Sequence, residues 1–334
     1  MPRVAVIFTG GTIAMRSADG PAANVPTLHA DELLASVPGL DAIADVEPID
    51  WGLVPASHLT FVQVLEIGRL LRDALERPDV DGAVIVQGTD VIEETAFAWD
   101  LLPLPAKPTI VVGAMRSASQ EGYDGPENLR NAVAAAADQR LAGEGVLVAM
   151  AGELHAADDV RKTHTHAYAT FQSPNAGRLG TVVRGHVTLQ RRRAVHGRLP
   201  AVPERAALPV PLVTAVLDDV DAVASVLSRR PAGLVVAATG SGNTAPALLT
   251  AASELIGTGV PVALTTRCPS GRALPGYAFP GGSNAWWEAG ALFTGTLDGP
   301  KARVLVALGV GAGATSEELA AICWPLGGGS AATA

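Results

Sequence analysis

Two short runs of this chain end alike: Val4-Ala5-Val6-Ile7-Phe8-Thr9-Gly10-Gly11-Thr12 and Gly82-Ala83-Val84-Ile85-Val86-Gln87-Gly88-Thr89-Asp90. Each reads as a buried strand that stops at glycine and then offers a threonine hydroxyl. A continuous apolar run suits a parallel strand covered on both faces, and glycine lets the backbone turn sharply and approach a ligand closely. In open α/β sheets the ligand crevice lies beyond the carboxyl ends of the strands, so Thr12 and Thr89 are candidates for one site. A hydroxyl becomes a useful nucleophile only beside a group that takes its proton, and a strand-end threonine alone is more simply a structural or capping residue. The segment Asp158-Asp159-Val160-Arg161-Lys162-Thr163-His164 changes that balance by placing a lysine among acids just after another apolar run. A lysine amine held beside a threonine can serve as its base, with Asp90 orienting the ammonium or holding a cationic substrate group. Without such a neighbour, Lys162 is an ordinary surface lysine.

The elements that must position these groups alternate. Strands are expected at 4–9, 83–87, 109–113 and 145–150, and helices at 29–36, 61–76, 90–102 and 127–141, the pattern of a parallel, helix-covered sheet. Thr60 and Asp90 read as helix N-caps, and Asp90 with Glu93 has capping-box spacing. A hairpin over 181–198 closes the first domain, with Arg191-Arg192-Arg193 as a solvated turn or hairpin tip. Four prolines between 199 and 211 forbid a helix and mark a linker. Beyond it, strands near 212–217, 233–239 and 261–266 and helices near 219–229, 244–256 and 284–291 are expected. Pro300 then opens a helix, and Thr315 with Glu318 caps the last one. The expected fold is therefore α/β: a larger N-terminal domain (1–198) built on a mostly parallel sheet with helices on both faces, a linker (199–211) and a smaller C-terminal α/β domain (212–334).

Composition narrows the classes of function. A net charge of −9 argues against a general nucleic-acid binder, because phosphate binding is driven by clustered positive charge. No apolar stretch approaches the length that spans a bilayer, and the amino terminus lacks a signal-peptide pattern. Cys268 and Cys323 make neither a disulfide framework nor a zinc pattern, which fits reduced thiols in the cytoplasm. His164 and His166 share one side of an extended segment but have no third metal ligand. Gly240-Ser241-Gly242-Asn243-Thr244-Ala245 approximates a dinucleotide loop in the wrong half of the chain. Neither a metal nor a cofactor is expected, nor a nucleic-acid or membrane partner.

Several motifs together resemble the bacterial L-asparaginase family. They are Thr9-Gly10-Gly11-Thr12-Ile13-Ala14, Gly88-Thr89-Asp90-Val91-Ile92-Glu93-Glu94-Thr95-Ala96, Val112-Gly113-Ala114-Met115-Arg116, Asp124-Gly125-Pro126-Glu127-Asn128-Leu129 and Lys162-Thr163. Thr239-Gly240-Ser241-Gly242-Asn243 and Lys301-Ala302-Arg303-Val304 continue the likeness, in order, over almost the whole chain. The resemblance implies an amidohydrolase without a cofactor, hydrolysing L-asparagine to L-aspartate and ammonia, and assembled as a homodimer or homotetramer. It implies Thr12 as the nucleophile and Thr89, Asp90 and Lys162 as a second triad. Gly11, Ser57, Gly88, Asp90 and Asn243 would contact the substrate, with Asn243 near a subunit boundary.

The departures bear on the substrate. The family's tyrosine after the first strand is missing, since residues 13–50 contain none. The stretch Pro55-Ala56-Ser57-His58 stands where the family carries its polar substrate contacts, and 276–283 offers no acid to a neighbouring subunit. Tyr123, Tyr277 and His58 lie outside the expected segments and read as packing or supporting groups. Two other functions fit the same residues: hydrolysis of another small amide or lactam, and a catalytically silent protein that binds an amino acid.

Overall fold

The computed structural model describes residues 1–17, 24–193, 197–218 and 230–330. The chain falls into two compact units, Met1–Asp100 with Leu104–Arg193 and Leu101–Pro103 with Ala194–Ala334. The helix expected near 219–229 lies outside the described residues.

Along the first unit run β1 (Arg3–Phe8), β2 (Met15–Ser17), β3 (Asn24–Pro26), α1 (Ala30–Ala35), β4 (Asp45–Asp50), α2 (Phe61–Glu76), β5 (Gly82–Val86), α3 (Ile92–Asp100), β6 (Thr109–Val112), α4 (Gly125–Ala136), β7 (Val146–Met150), β8 (Glu153–Ala156), β9 (Arg161–Lys162), β10 (Phe171–Gln172), β11 (Gly180–Val183) and β12 (His186–Leu189). Among the described residues, eight strands form one sheet in the order β12-β11-β8-β7-β6-β5-β1-β4. Pairing is parallel from β4 to β7 and antiparallel from β7 to β12. The apolar runs of β5, β6 and β7 are buried along their whole length, as strands covered on both faces must be. Helix α4 packs on all three, while α2 and α3 touch each other and pack on β5 and β7.

The chain leaves β1 for β4 on one side and returns to β5 on the other, so the sheet reverses its winding between β1 and β5. Ligand crevices open at such switch points, beyond the carboxyl ends of the strands. Here the ends of β1 and β5 touch main chain to main chain. Gly10 and Gly11 have φ of 100° and 94°, a region that L side chains rarely adopt. A Cβ on Gly11 would stand 2.1 Å from Gly88 N and 2.3 Å from Gly88 Cα.

Several local features differ from the sequence expectations. Strand β4, Asp-Val-Glu-Pro-Ile-Asp, has no long apolar run because it is the sheet edge, where Pro48 is tolerated. The helix expected over 127–141 ends at Ala136 and is followed by a separate 3-10 turn, Gln139–Leu141, whose start is capped by Asp138. The expectation of a solvated Arg191–Arg193 run holds for exposed Arg192 and fails for Arg193. Arg193 is buried, its Nη1 2.9 Å from Asp100 Oδ2 and its Nη2 3.1 Å from Asp158 Oδ1. Arg192 Nη1 meets Glu144 Oε1 at 2.6 Å, and Arg191 Nη2 donates to Gly177 O at 2.6 Å. A guanidinium leaves water only where carboxylates receive it, and Asp100 and Asp158 do so here, while the Glu144 carboxylate accepts from the Arg193 main-chain N–H. Thr60 and Thr315 do cap their helices, each in a reciprocal box.

The second unit carries β13 (Leu212–Thr214), β14 (Leu234–Ala238), α5 (Pro246–Gly257), β15 (Val262–Thr266), α6 (Ser283–Glu288), β16 (Leu292–Phe293), α7 (Gly299–Gly311) and α8 (Ser316–Cys323). Its sheet is parallel in the order β13-β14-β15-β16. Pro300 sits in the first turn of α7, and Asp298 caps that helix through Lys301 N. No helix of the described residues is long and apolar enough to cross a membrane.

One buried side chain of β8 makes the first unit sensitive to acid. His155 has its Nδ1 2.9 Å from Ser173 Oγ, and burial holds its pKa down to about 4 against the opposing pull of Glu153 and Asp159. The unfolded imidazole takes up its proton near pH 6.5, so the native state loses stability as pH falls from about 6.5 to about 4. The full loss corresponds to about 3 kcal/mol. Urea unfolding of the wild type and of His155→Gln across this range should show a shallower acid slope in the variant; coincident slopes would remove His155 as the source.

Candidate active site

Both threonines predicted from sequence lie at the switch point. Thr12 opens a single 3-10 turn, Thr12–Ala14, directly after Gly11. Thr89 opens another, Thr89–Val91, after Gly88 and leads into α3. The contact of Gly11 with Gly88 fixes the spacing of the two turns. Beneath them, a Cβ on Gly113 at the end of β6 would meet Thr89 Cγ2 at 3.0 Å, so glycine there leaves room for the Thr89 side chain.

Lys162 reaches this place from β9, which pairs antiparallel with β10 as a ribbon separate from the main sheet. Its Nζ lies 2.9 Å from Thr89 Oγ1 and 3.1 Å from Asp90 Oδ1. The side chain is 19% exposed, and Asp90 is 62% exposed. A surface lysine it is not: one hydroxyl and one carboxylate share its ammonium while the carboxylate keeps a face open to solvent. Among the described residues the hydroxyl of Thr12 has no such amine beside it.

The backbone of Lys162 is held too. Its N–H donates to Glu93 Oε2 at 2.6 Å. This corrects the expected capping box, because Gly88 precedes the turn with no side-chain cap bond and Glu93 binds the β9 backbone. The acid at that spacing serves a tertiary contact.

The segment 55–58 forms a further 3-10 turn, Ala56–His58. Ala56 is buried against Gly88, whose added Cβ would come within 2.9 Å of the Ala56 methyl, while Ser57 and His58 are exposed. Thr12, Gly11, Gly88, Thr89, Asp90 and Lys162 are thus brought together, with Ser57 on an adjoining turn. Asn243 belongs to the second unit, where its Oδ1 accepts from Ser283 N at 3.1 Å. Tyr277, also of the second unit, is exposed and stands against Phe279, their ring centroids 5.8 Å apart.

A cavity of about 440 Å³ opens beside the amine, lined by Asp90, Lys162, Thr163, His164 and Thr165. His164 Nδ1 accepts from both His166 N and Ala167 N at 3.0 Å, which places the ring proton on Nε2 and leaves Nδ1 no free lone pair for a metal. Tyr123, read from sequence as a packing or supporting group, lies beside this region. Its hydroxyl donates to Ile13 O at 2.6 Å, one residue past Thr12. No local pattern signals a contact across 110 residues.

Comparison with known proteins finds matches to both halves of the chain. A family model described as "Asparaginase, N-terminal" matches residues 3–195, and one described as "Glutaminase/Asparaginase C-terminal domain" matches residues 212–322. The chain is 34% identical to a "Probable L-asparaginase" of Deinococcus radiodurans over 327 residues, covering 96% of each. It is 33% identical to a "Probable L-asparaginase periplasmic" of Haemophilus influenzae, covering 92% of this chain and 88% of that one. A "Glutaminase-asparaginase" of Pseudomonas aeruginosa is 32% identical over 97% of this chain and 90% of its own length. The crystal structure of a "Probable Cytoplasmic L-asparaginase" from Campylobacter jejuni superposes with a TM-score of 0.85 at 27% identity, covering 98% of this chain and 99% of that one. Matched through both halves in sequence and along nearly its full length in structure, the chain belongs to the asparaginase family.

Proposed function

We propose that this amidohydrolase cleaves the side-chain amide of L-asparagine, giving L-aspartate and ammonia, with Thr12 as nucleophile. The observation that carries the reading is the amine of Lys162 held between Thr89 Oγ1 at 2.9 Å and Asp90 Oδ1 at 3.1 Å, on the turn that touches the Thr12 turn. Thr12 Oγ1 forms an ester bond to the amide carbon, the C–N bond breaks, and the hydroxyl proton leaves with the nitrogen as ammonia. Water then cleaves the ester, restores the threonine hydroxyl and releases the carboxylate. Thr89 and Lys162 move the proton in both halves of this cycle. Backbone N–H groups of Gly11 and of Thr89 or Asp90 face the oxyanion, a contribution of about 2.7–4 kcal/mol per donor in comparable sites. The open carboxylate of Asp90 takes the substrate ammonium, and Gly11, Gly88 and Ser57 line its seat.

The reading extends to assembly and compartment. Catalysis belongs to residues 1–198, joined through 199–211 to 212–334, and the active form is a homodimer or homotetramer. In support, Leu274, Tyr277 and Phe279 are exposed on the second unit. Their segment bonds to the Asn243 turn through Leu274 N to Ser241 O and Thr244 N to Gly281 O. Clustered exposed apolar groups of this kind mark association surfaces. The free thiols Cys268 and Cys323 support a cytoplasmic location.

Three measurements test these proposals. With a panel of small amides and ammonia as the readout, L-asparagine should be turned over, and folded Thr12→Ala should lose kcat by up to about 10⁶-fold. Near-normal ammonia release by that variant would rule out Thr12. Thr89→Val combined with Lys162→Met should cost little more than either change alone, since the hydroxyl and the amine act as one unit; fully multiplicative losses would separate them. Sedimentation run beside activity should find the active species to be an oligomer, and a fully active monomer would contradict the assembly.

A further inference from the structure

We infer that the loop 116–124 is a strut between the two halves of the site, with Tyr123 and Tyr168 as the positioning residues at its ends. The inference rests on the reading of Thr12 as nucleophile and of Lys162 as partner of Thr89. The loop is closed at its base by Asp124, whose carboxylate accepts from Met115 N at 3.0 Å, Arg116 N at 2.9 Å and Asn128 Nδ2 at 2.9 Å. Arg116 Nη1 donates across it to Glu121 O at 2.6 Å. These bonds give the loop a fixed shape before it meets anything else.

One end binds the Thr12 turn. Tyr123 Oη donates to Ile13 O at 2.6 Å, and Ala118 N donates to Met15 O at 3.1 Å. The ring of Tyr123 lies where a Cβ on Gly125 would come within 2.4 Å of it, so glycine at that position admits the aromatic. Burial, helped by the charge of Asp124, pushes the hydroxyl pKa up to about 12, which keeps the donor protonated through any ordinary assay.

The other end binds the segment that follows Lys162. Tyr168 Oη donates to Gly122 O at 2.7 Å, and the guanidinium of Arg116 stacks 4.3 Å from the centroid of the Tyr168 ring. Tyr168 belongs to the connection between β9 and β10, which is tied to itself by Thr163 N donating to Thr170 O at 2.8 Å. The Thr12 turn and the Lys162 ribbon, which come from chain positions 150 residues apart, are thereby referred to one rigid loop. A tyrosine missing from 13–50 is not replaced in kind. Tyr123 acts instead on the main chain beside the nucleophile.

A strut works in series, so releasing either end releases the site. Tyr123→Phe and Tyr168→Phe keep the rings and remove only the hydroxyls. Each should lower kcat for ammonia release, by about tenfold for Tyr123→Phe, the scale of one hydrogen bond, with KM within about twofold and the melting temperature within about 4 °C of wild type. The double variant should lose little more than the worse single one. A kcat of Tyr123→Phe within about twofold of wild type, a fully multiplicative double variant, or a melting temperature that falls in step with activity would each overturn the strut. Amide exchange in the full chain gives a readout independent of turnover: Tyr168→Phe should speed exchange at Ala14 N–H, which is bonded to Gly11 O on the far side of the loop. Unchanged exchange there overturns the inference even if the wild type hydrolyses asparagine. Conversely, a wild type silent toward every amide defeats the functional reading while the exchange still decides the strut.

Discussion

Everything at the switch point depends on two main chains in contact. With Gly11 pressed against Gly88, the turns after β1 and β5 stand closer than any pair of side-chain-bearing residues allows. An alanine at Gly11 would overlap the backbone of Gly88 and also meet the conformational cost of a positive φ. Two threonines that follow such glycines are neighbours because the sheet brings the strand ends together and nothing keeps the turns apart. The methyl of Ala56 and the small Gly113 continue the same economy of volume on either side of Gly88 and Thr89.

Lys162 arrives by a different route. It lies on a ribbon of two short strands outside the main sheet, and its position comes from polar contacts at each stage of the approach. Asp158 faces buried Arg193, and Asp159 accepts from Asn175 N and Ala176 N. Glu93 then receives the N–H of Lys162 itself. Buried charges of this sort contribute little net stability, yet removing one partner strands the other, so they fix geometry more than they deepen the native well. Hydrophobic burial holds the threonines and charge holds the amine.

This division explains what could be read in the sequence. Runs such as Val4–Phe8 and Gly82–Val86 announce their strands because burial on both faces demands uninterrupted apolar residues. Thr12 and Thr89 follow from them. Lys162 has no periodic signal, as a two-residue strand is shorter than any repeat; the acids around it made it a candidate, and the family resemblance gave it a role. Glu93 was assigned to a helix cap because local spacing carries no trace of a partner 69 residues away. Strand β4 escaped because an edge position permits charge and proline. Arg193 misled for a related reason: three successive arginines look like surface unless the carboxylates at 100, 144 and 158 are already known to converge.

Arg193 is also the last residue of the first unit, and this has a bearing on how the protein is made. A ribosome delivers Asp100, Glu144 and Asp158 long before it delivers their cation. Until residue 193 is available, Asp100 has the Val146 N–H but not the guanidinium that faces it, and Asp158 likewise lacks that cation, so the end of α3 and the approach to β9 are without the ion pairs that join them. The ion pairs that tie the end of α3 to the approach to β9 are therefore completed only by the last residue of the unit.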